Sequence, residues 1–254
     1  MNIICTIEAR MNSTRFPGKI LKKICGKTIL EILVHQVKMS KKLNNIVVAT
    51  TKNKNDNAII KVCQKNNINF YRGSENNVLK RLVETGIFFQ ADIIVQLTSD
   101  NPFIDPEMLD YMINFFLFNK KIDYVANNGL GIFEDRNVPF GLDIQIYYFK
   151  HLKSILSLAK KKDLKEHPSL YFYREGKKKY KLHNINLPKK FSINKYYRLT
   201  LDEPNDYILL KKIYSYFNTN KKIKLNTKNL SNFLKKNSLL CFINQDVKQK
   251  KVNI

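Results

Sequence analysis

Two hydrophobic rhythms alternate along the first half of the chain. Residues 2–7 (Asn-Ile-Ile-Cys-Thr-Ile), 46–50 (Ile-Val-Val-Ala-Thr), 68–71 and 92–97 (Asp-Ile-Ile-Val-Gln-Leu) are short, nearly continuous apolar runs. Runs of that length without polar alternation belong to strands buried on both faces. Between them, residues 28–39 carry Ile29, Leu30, Ile32, Leu33 and Val37 at helical spacing, and 56–64, 77–89 and 106–118 read as further helices. Pro106 stands at the first turn of the last of these, with Asp105 placed to cap it. This β-α-β-α order predicts an α/β fold, a mostly parallel central sheet with helices on both faces.

The second half is less regular. It predicts strands at 141–148, 181–187 and 198–201, helices at 151–159 and 204–217, and a last helical segment at 230–236. No internal repeat and no long linker interrupts it, so residues 1–254 read as one domain. At 44% hydrophobic and 11% aromatic, the 254 residues can bury one substantial core. No run of 18 apolar residues predicts a membrane span. The start of the chain lacks the pattern of a secretory signal, which gives a cytoplasmic expectation. Cys5, Cys25, Cys63 and Cys241 have no metal-ligand spacing and read as reduced structural thiols.

Charge adds a question. Lys+Arg is 45 and Asp+Glu is 21, a formal net charge of +24. That balance favours anionic partners: nucleic acid, anionic lipid or phosphorylated small molecules. The lysines are dispersed and not gathered into one stripe, so compositional drift toward Lys, Asn and Ile explains them as well. A nucleic-acid-binding module would need basic residues interleaved with exposed aromatics. Tyr171, Phe172 and Tyr173 beside Arg174 and Lys177, Lys178 and Lys179 form the cluster of that kind; the segment also reads as a helix with a solvated basic end.

In parallel sheets of this kind, ligands bind beyond the carboxyl ends of the strands. That rule brings residues 8–19, 51–55, 72–76 and 98–105 to one rim. The first of these, Ala9-Arg10-Met11-Asn12-Ser13-Thr14-Arg15-Phe16-Pro17-Gly18-Lys19, carries three cations, two hydroxyls and a Pro-Gly turn. A nucleoside triphosphate requires such surroundings. Arg10 and Arg15 could each grip a phosphate through two parallel N–H bonds, and Lys19 could act as a point charge on the phosphate under attack. A solvated basic surface loop is the alternative. Gly26-Lys27-Thr28 resembles the end of a Walker motif, but position 21 is Leu21 where that motif needs Gly. No G-x-G-x-x-G occurs.

Acids complete the set. Asp100 follows the strand 92–97 at the rim and is a candidate Mg²⁺ ligand, because Mg²⁺ takes one or two carboxylates and fills its octahedron with phosphates and waters. Asp202, ahead of Glu203-Pro204, is the candidate second ligand or, equally, the N-cap of the following helix. Asp143 reads as an acceptor-hydroxyl contact or a turn acid. Glu166 and His167 are candidate acceptor contacts, although a lone histidine near a helix start is commonly structural.

These residues resemble a known family. The segment Ile7-Glu8-Ala9-Arg10-Met11-Asn12-Ser13-Thr14-Arg15-Phe16-Pro17-Gly18-Lys19 is similar to the signature loop of the SpsF-type (spore coat polysaccharide biosynthesis protein F) cytidylyltransferases, relatives of the synthetases that make CMP-activated Kdo and sialic acids. The likeness continues through Tyr71-Arg72-Gly73-Ser74-Glu75-Asn76-Asn77-Val78-Leu79, Leu97 to Pro106, Gly141-Leu142-Asp143, Glu166-His167, Leu201-Asp202-Glu203-Pro204-Asn205-Asp206 and the ending Ile243 to Lys250, nearly the whole chain. It implies a GT-A-like nucleotidyltransferase fold, with a nucleotide-binding half over about 1–120, an acceptor and dimerisation half over about 121–217 and a helical tail over 218–254. It implies that Glu8, Ala9, Arg10, Met11, Ser13, Thr14, Arg15 and Lys19 surround the NTP, with Arg15 and Lys19 catalytic. Arg72, Gly73 and Ser74 would lie near the nucleoside, with Mg²⁺ on Asp100 and Asp202. The implied reaction moves an NMP group from NTP, CTP first and GTP second, to a sugar-type acceptor of a surface glycan pathway. Related synthetases also suggest a homodimer with residues 141–156 at the contact. Two departures stand out: Glu8 where the family has Gln, which bears on base choice, and Asn12 where it has Gly. Asn tolerates left-handed backbone better than most residues, which would keep the loop's shape.

Overall fold

The apolar runs of the first half fold as parallel strands because each finds an apolar layer on either face. The computed structural model describes residues 1–250. Its elements are β1 (Ile3–Glu8), β2 (Lys23–Ile24), β3 (Lys27–Thr28), α1 (Ile29–Val37), β4 (Asn45–Thr51), α2 (Asn57–Lys65), β5 (Asn69–Gly73), α3 (Val78–Phe88), β6 (Ile93–Thr98) and α4 (Pro106–Phe118). There follow β7 (Tyr124–Ala126), β8 (Gln145–Tyr148), α5 (Phe149–Ile155), α6 (Lys162–Glu166), α7 (Leu170–Tyr173), β9 (Leu182–Asn184), α8 (Pro204–Thr219) and α9 (Thr227–Lys236).

One seven-stranded sheet runs in the order β5-β4-β1-β6-β8-β7-β9, and β2 and β3 form a separate small pair. The pairs β4–β5, β1–β4, β1–β6 and β7–β9 are parallel, whereas β6–β8 and β7–β8 are antiparallel. Side chains of a strand alternate between faces. Ile3, Cys5 and Ile7 of β1 accordingly enter one apolar cluster and Ile4 the other, and β6 divides Ile93, Val95 and Leu97 from Ile94 in the same way. The first cluster takes the buried faces of α1, α4, α8 and α9, and the second those of α3, α5 and α7. Burial on both faces is why these strands lack polar alternation.

Local chemistry fixes the helix starts. Thr28 and Glu31 form a reciprocal capping box on α1, with bonds of 3.1 and 2.7 Å. Asp105 caps α4 as expected, accepting from Glu107 N at 2.9 Å, and its other oxygen accepts from Thr227 N at 2.7 Å. One buried carboxylate therefore fixes α4 and ties α9 to it.

The second half departs from expectation in four places. Residues 198–201 are not a ladder strand: Arg198 makes an isolated bridge to Phe140. Their apolar residues are buried in extended chain beneath the rim, which mimics a strand's pattern. The strand expected at 141–148 is confined to β8, because Gly141, at φ 108°, lies in a turn and residues 142–144 join no ladder. The helix at 151–159 starts earlier and ends at Ile155, and the strand at 181–187 is reduced to β9. β7 is too short to leave a pattern. Phe172 is fully buried against Tyr124, Tyr147 and Tyr180, so the aromatic cluster beside Arg174 contributes to the core. No helix of the described residues is long and apolar enough to cross a membrane.

Candidate active site

β1 and β6 lie side by side in parallel, with Glu8 opposite Thr98, so both strands deliver their following loops to one rim. The loop after β1 is held from below. Met11 N donates to Asp56 Oδ1 at 2.7 Å, and Thr51 Oγ1 donates to the same carboxylate. Asn12 Nδ2 donates to Glu75 Oε1 at 2.9 Å. Asn12 is not left-handed; that role falls to Gly18, at φ 67°. Gly18 N closes back on Met11 O at 3.1 Å, and the turn that follows drives Lys19 inward to 9% exposure.

Lys19 is the centre of the site. Its Nζ donates to Asp100 Oδ2 at 2.7 Å and to Asp202 Oδ1 at 2.9 Å. Arg15 reaches the same Asp202 oxygen at 2.8 Å, and Arg198 Nη2 donates to Oδ2 at 2.7 Å. Two acids about a hundred residues apart in sequence thus share one cation. Burial would depress the Lys19 ammonium, but Asp100 and Asp202 outweigh it and hold its pKa above the ordinary lysine value. Burial would raise Asp202, and Lys19, Arg15 and Arg198 together hold it below the usual carboxylate range. Asp202 is not the helix cap. Glu203 takes that position on α8, and Asp206 Oδ2 accepts from both Asp202 N and Glu203 N at 2.8 and 2.9 Å.

A cleft of about 460 Å³ opens over this centre. Glu8, Ala9, Arg10, Ser13, Thr14, Arg15, Lys19, Asp100, Asp143, Glu166, His167 and Asp202 all line it. Arg10 meets Glu166 at 3.5 Å across the opening, and Asp143 is paired with Arg136. His167 closes α6 and lies three residues before the start of α7, where its carbonyl accepts from Leu170 N at 3.0 Å. Four expected residues do not line the cleft. The Met11 side chain packs against the core. Arg72 turns back to the carbonyls of Thr51 and Asn53, both at 2.9 Å. Gly73 and Ser74 support a residue that sequence reading missed, Arg81. A Cβ at Gly73 would lie 2.8 Å from Arg81 Cγ, and Ser74 O accepts from Arg81 Nη1 at 2.6 Å.

Arg81, 2% exposed, lines the cleft floor with Val78 and Glu8. Its signal was available: an arginine three residues after Val78 lies on the apolar face of α3. Burial pushes the Glu8 carboxyl up, opposed by Arg81 and by a hydrogen bond from Gln96. Asn12, Ile20, Thr98, Ser99, Asn101, Phe140, Thr200, Gln249 and Lys250 complete the lining. A larger groove of about 800 Å³ between α1, α4 and α8 includes Asp105 from the rim segments but none of Arg15, Lys19, Asp100 or Asp202. Among the described residues, no group of three or more His, Cys, Asp or Glu could hold a metal by itself. A divalent ion here would complete its shell with substrate oxygens and water.

The sequence pattern of the cytidylyltransferases matches residues 4–249. The chain belongs to that family. The spore coat polysaccharide biosynthesis protein SpsF of Bacillus subtilis is 34% identical over 218 residues, covering 84% of this chain and 86% of that one. An uncharacterized protein of Methanocaldococcus jannaschii is 34% identical over 250 residues, 98% and 97% of the two chains. The solved structure of a cytidylyltransferase from Leptospira borgpetersenii superposes with a TM-score of 0.82 at 31% identity, covering 98% of each chain. This cytidylyltransferase therefore has the nucleotidyltransferase fold its sequence resembles, and it is a nucleotidyltransferase by class. The resemblance read from the signature loop is correct at the level of the family.

Proposed function

We propose that this cytidylyltransferase transfers CMP from CTP to an oxygen of a sugar-type acceptor and releases pyrophosphate. The observation that carries this reading is the convergence of Asp100, Asp202 and Arg15 on Lys19 beneath a cleft at the strand-end rim. The acceptor oxygen forms a bond to the α-phosphorus as the bond from that phosphorus to the β-phosphate oxygen breaks, and the hydroxyl proton is released. Arg10, Arg15 and Lys19 hold the phosphates and stabilise the charge that builds on them. Ser13 and Thr14 add hydroxyl donors, and no covalent nucleophile is required. The B. subtilis relative's name supports a polysaccharide-directed acceptor.

The residues present fit Mg²⁺. Two carboxylate oxygens already share one cation, the Lys19 ammonium, at 2.7 and 2.9 Å. Asp100 and Asp202 would hold the ion, which supplies neutralisation of phosphate charge when bound. Lys19, on a flexible stem, is then free to turn to the phosphates.

A melting-point panel with the four nucleoside triphosphates and Mg²⁺ tests the donor, because a ligand of the native state raises the midpoint. CTP is expected to raise it most; a larger shift with GTP would reassign the donor. Pyrophosphate release with sugar and sugar-phosphate acceptors tests the reaction. Arg15→Ala and Asp100→Ala are expected to lose at least about a hundredfold in turnover, and full turnover in either would refute the assignment.

A further inference from the structure

Beyond α9, residues 244–250 return across the ligand rim. Asn244, 2% exposed, anchors it: Nδ2 donates to Arg198 O at 3.0 Å and to Asp206 Oδ1 at 2.8 Å. Further on, Lys248 O accepts from Arg15 Nη1 at 3.4 Å, and Gln249 Oε1 accepts from Arg198 Nη1 at 2.6 Å. Arg15 and Arg198 are the two guanidiniums that also bind Asp202. The segment is therefore fastened to the groups that hold Asp202, and its next side chain, Lys250, lines the cleft. Lys250 and Arg10 both lie near His167, where burial and these two charges depress the imidazole against the pull of Glu166.

The cations of the cleft differ in what they already hold. Arg81 is buried in the cleft floor, where it donates to Ser74 O. Arg10 is paired with Glu166, Arg15 with Asp202 and Glu203, and Lys19 with Asp100 and Asp202. Each must give up or share a carboxylate to bind a phosphate. Lys250 has no ion-pair partner among the described residues, and it is exposed. An ammonium on such a segment attracts an incoming polyanion without first breaking a pair.

We propose that Lys250 is a phosphate-binding residue of this enzyme, contributed to the donor's triphosphate by the C-terminal segment. This rests on the nucleotide reading above. The step is electrostatic: it adds one cation beside Arg10 and leaves the Lys19 centre as it is. Because the group is exposed, the expected effect is modest.

Titration of the full chain with CTP and Mg²⁺, and separately with inorganic tripolyphosphate, measures that effect. Lys250→Ala is expected to weaken both about fivefold, Lys250→Glu to weaken them further, and Lys250→Arg to stay within about twofold of the parent. Lys236→Ala removes the same charge from the far end of α9 and is expected to change neither affinity. Cytidine, which has no phosphate, should bind the parent and Lys250→Ala alike. Equal anion affinities for the parent and Lys250→Ala would overturn the inference, as would a loss that Lys236→Ala reproduces. A parent that binds tripolyphosphate but not CTP would instead overturn the donor assignment, and the tripolyphosphate series would still decide Lys250.

Discussion

Arg198 is 9% exposed and serves two acids at once, Asp202 at 2.7 Å and Asp206 at 3.0 Å, the latter fully buried. Removing one partner of a buried pair leaves a charge without compensation, at a cost of about 3–5 kcal/mol. Arg198→Ala should lower the unfolding free energy measured in urea by that amount and reduce turnover together, whereas Arg15→Ala, at a half-exposed side chain, should reduce turnover with little change in stability. His167 gives a pH dependence. Burial, Lys250 and Arg10 hold its folded pKa below the ordinary 6.5, with Glu166 opposing. As pH falls, the unfolded chain takes up the proton first. Stability from this group is therefore full above about 6.5 and declines below it. Thermal midpoints measured from pH 7.5 down to about 5.5 should fall less steeply for His167→Gln than for the parent. At this scale much of the site was legible, since Arg15, Lys19 and Asp100 follow from strand-end placement and loop chemistry, whereas Asp202 was reached through a strand at 198–201 that does not form. Arg81 and Arg198 were not singled out because each lies inside a stretch that reads as helix or strand, where polar residues are assumed to face solvent. Arg72 shows the converse: adjacency to the rim in sequence does not aim a side chain into the cleft, and its guanidinium satisfies two loop carbonyls instead.

Among the elements, α3 carries the clearest conflict between propensity and packing. Gly86 lies within it, and Gly→Ala inside a helix ordinarily gains about 1 kcal/mol. Here the added Cβ would meet the Phe149 ring of α5 at 2.3 Å, nearest to Cε2. Overpacking of that kind costs about 1–3 kcal/mol, which outweighs the gain. Gly86→Ala should lower the melting point, and Phe149→Leu in the same chain should recover part of the loss; a stabilised single variant would show that the ring moves freely. The α1 cap offers a simpler case, since Thr28→Ala removes a capping box and should cost about 1 kcal/mol in urea. The same contrast explains which elements could be read in advance. β1, β4 and β6 are buried on both faces and are flanked by long amphipathic helices, so their apolar runs are unambiguous. β7 has three residues, too few for any period to register, and β9, of the same length, is read too long because the apolar residues after it also pack into the core. Residues 198–201 have a strand's composition because burial selects apolar residues whether or not a ladder forms.

For the whole molecule, the net charge of +24 and the seven-stranded sheet act against each other. Antiparallel pairing of β8 with β6 joins the two halves, and one apolar cluster runs from Ile3 to Leu234. A structure knit in that way should unfold in one cooperative step, with far-ultraviolet and tyrosine signals coincident. Like charges spread over its surface repel one another, and folding brings them closer. Added salt screens that repulsion over a Debye length of about 8 Å at 0.15 M. The cleft uses the same charge in the opposite sense, as attraction for a polyphosphate. Raising ionic strength from low to physiological values should therefore raise the melting point of the free protein while it weakens CTP. The opposed signs separate the two origins. If the lysines mattered only as a diffuse field, tripolyphosphate and CTP would lose affinity equally with salt, and neutral cytidine would be indifferent. If salt also weakened cytidine, screening could not be the cause, and a salt effect on the nucleoside contacts themselves would be the explanation to test.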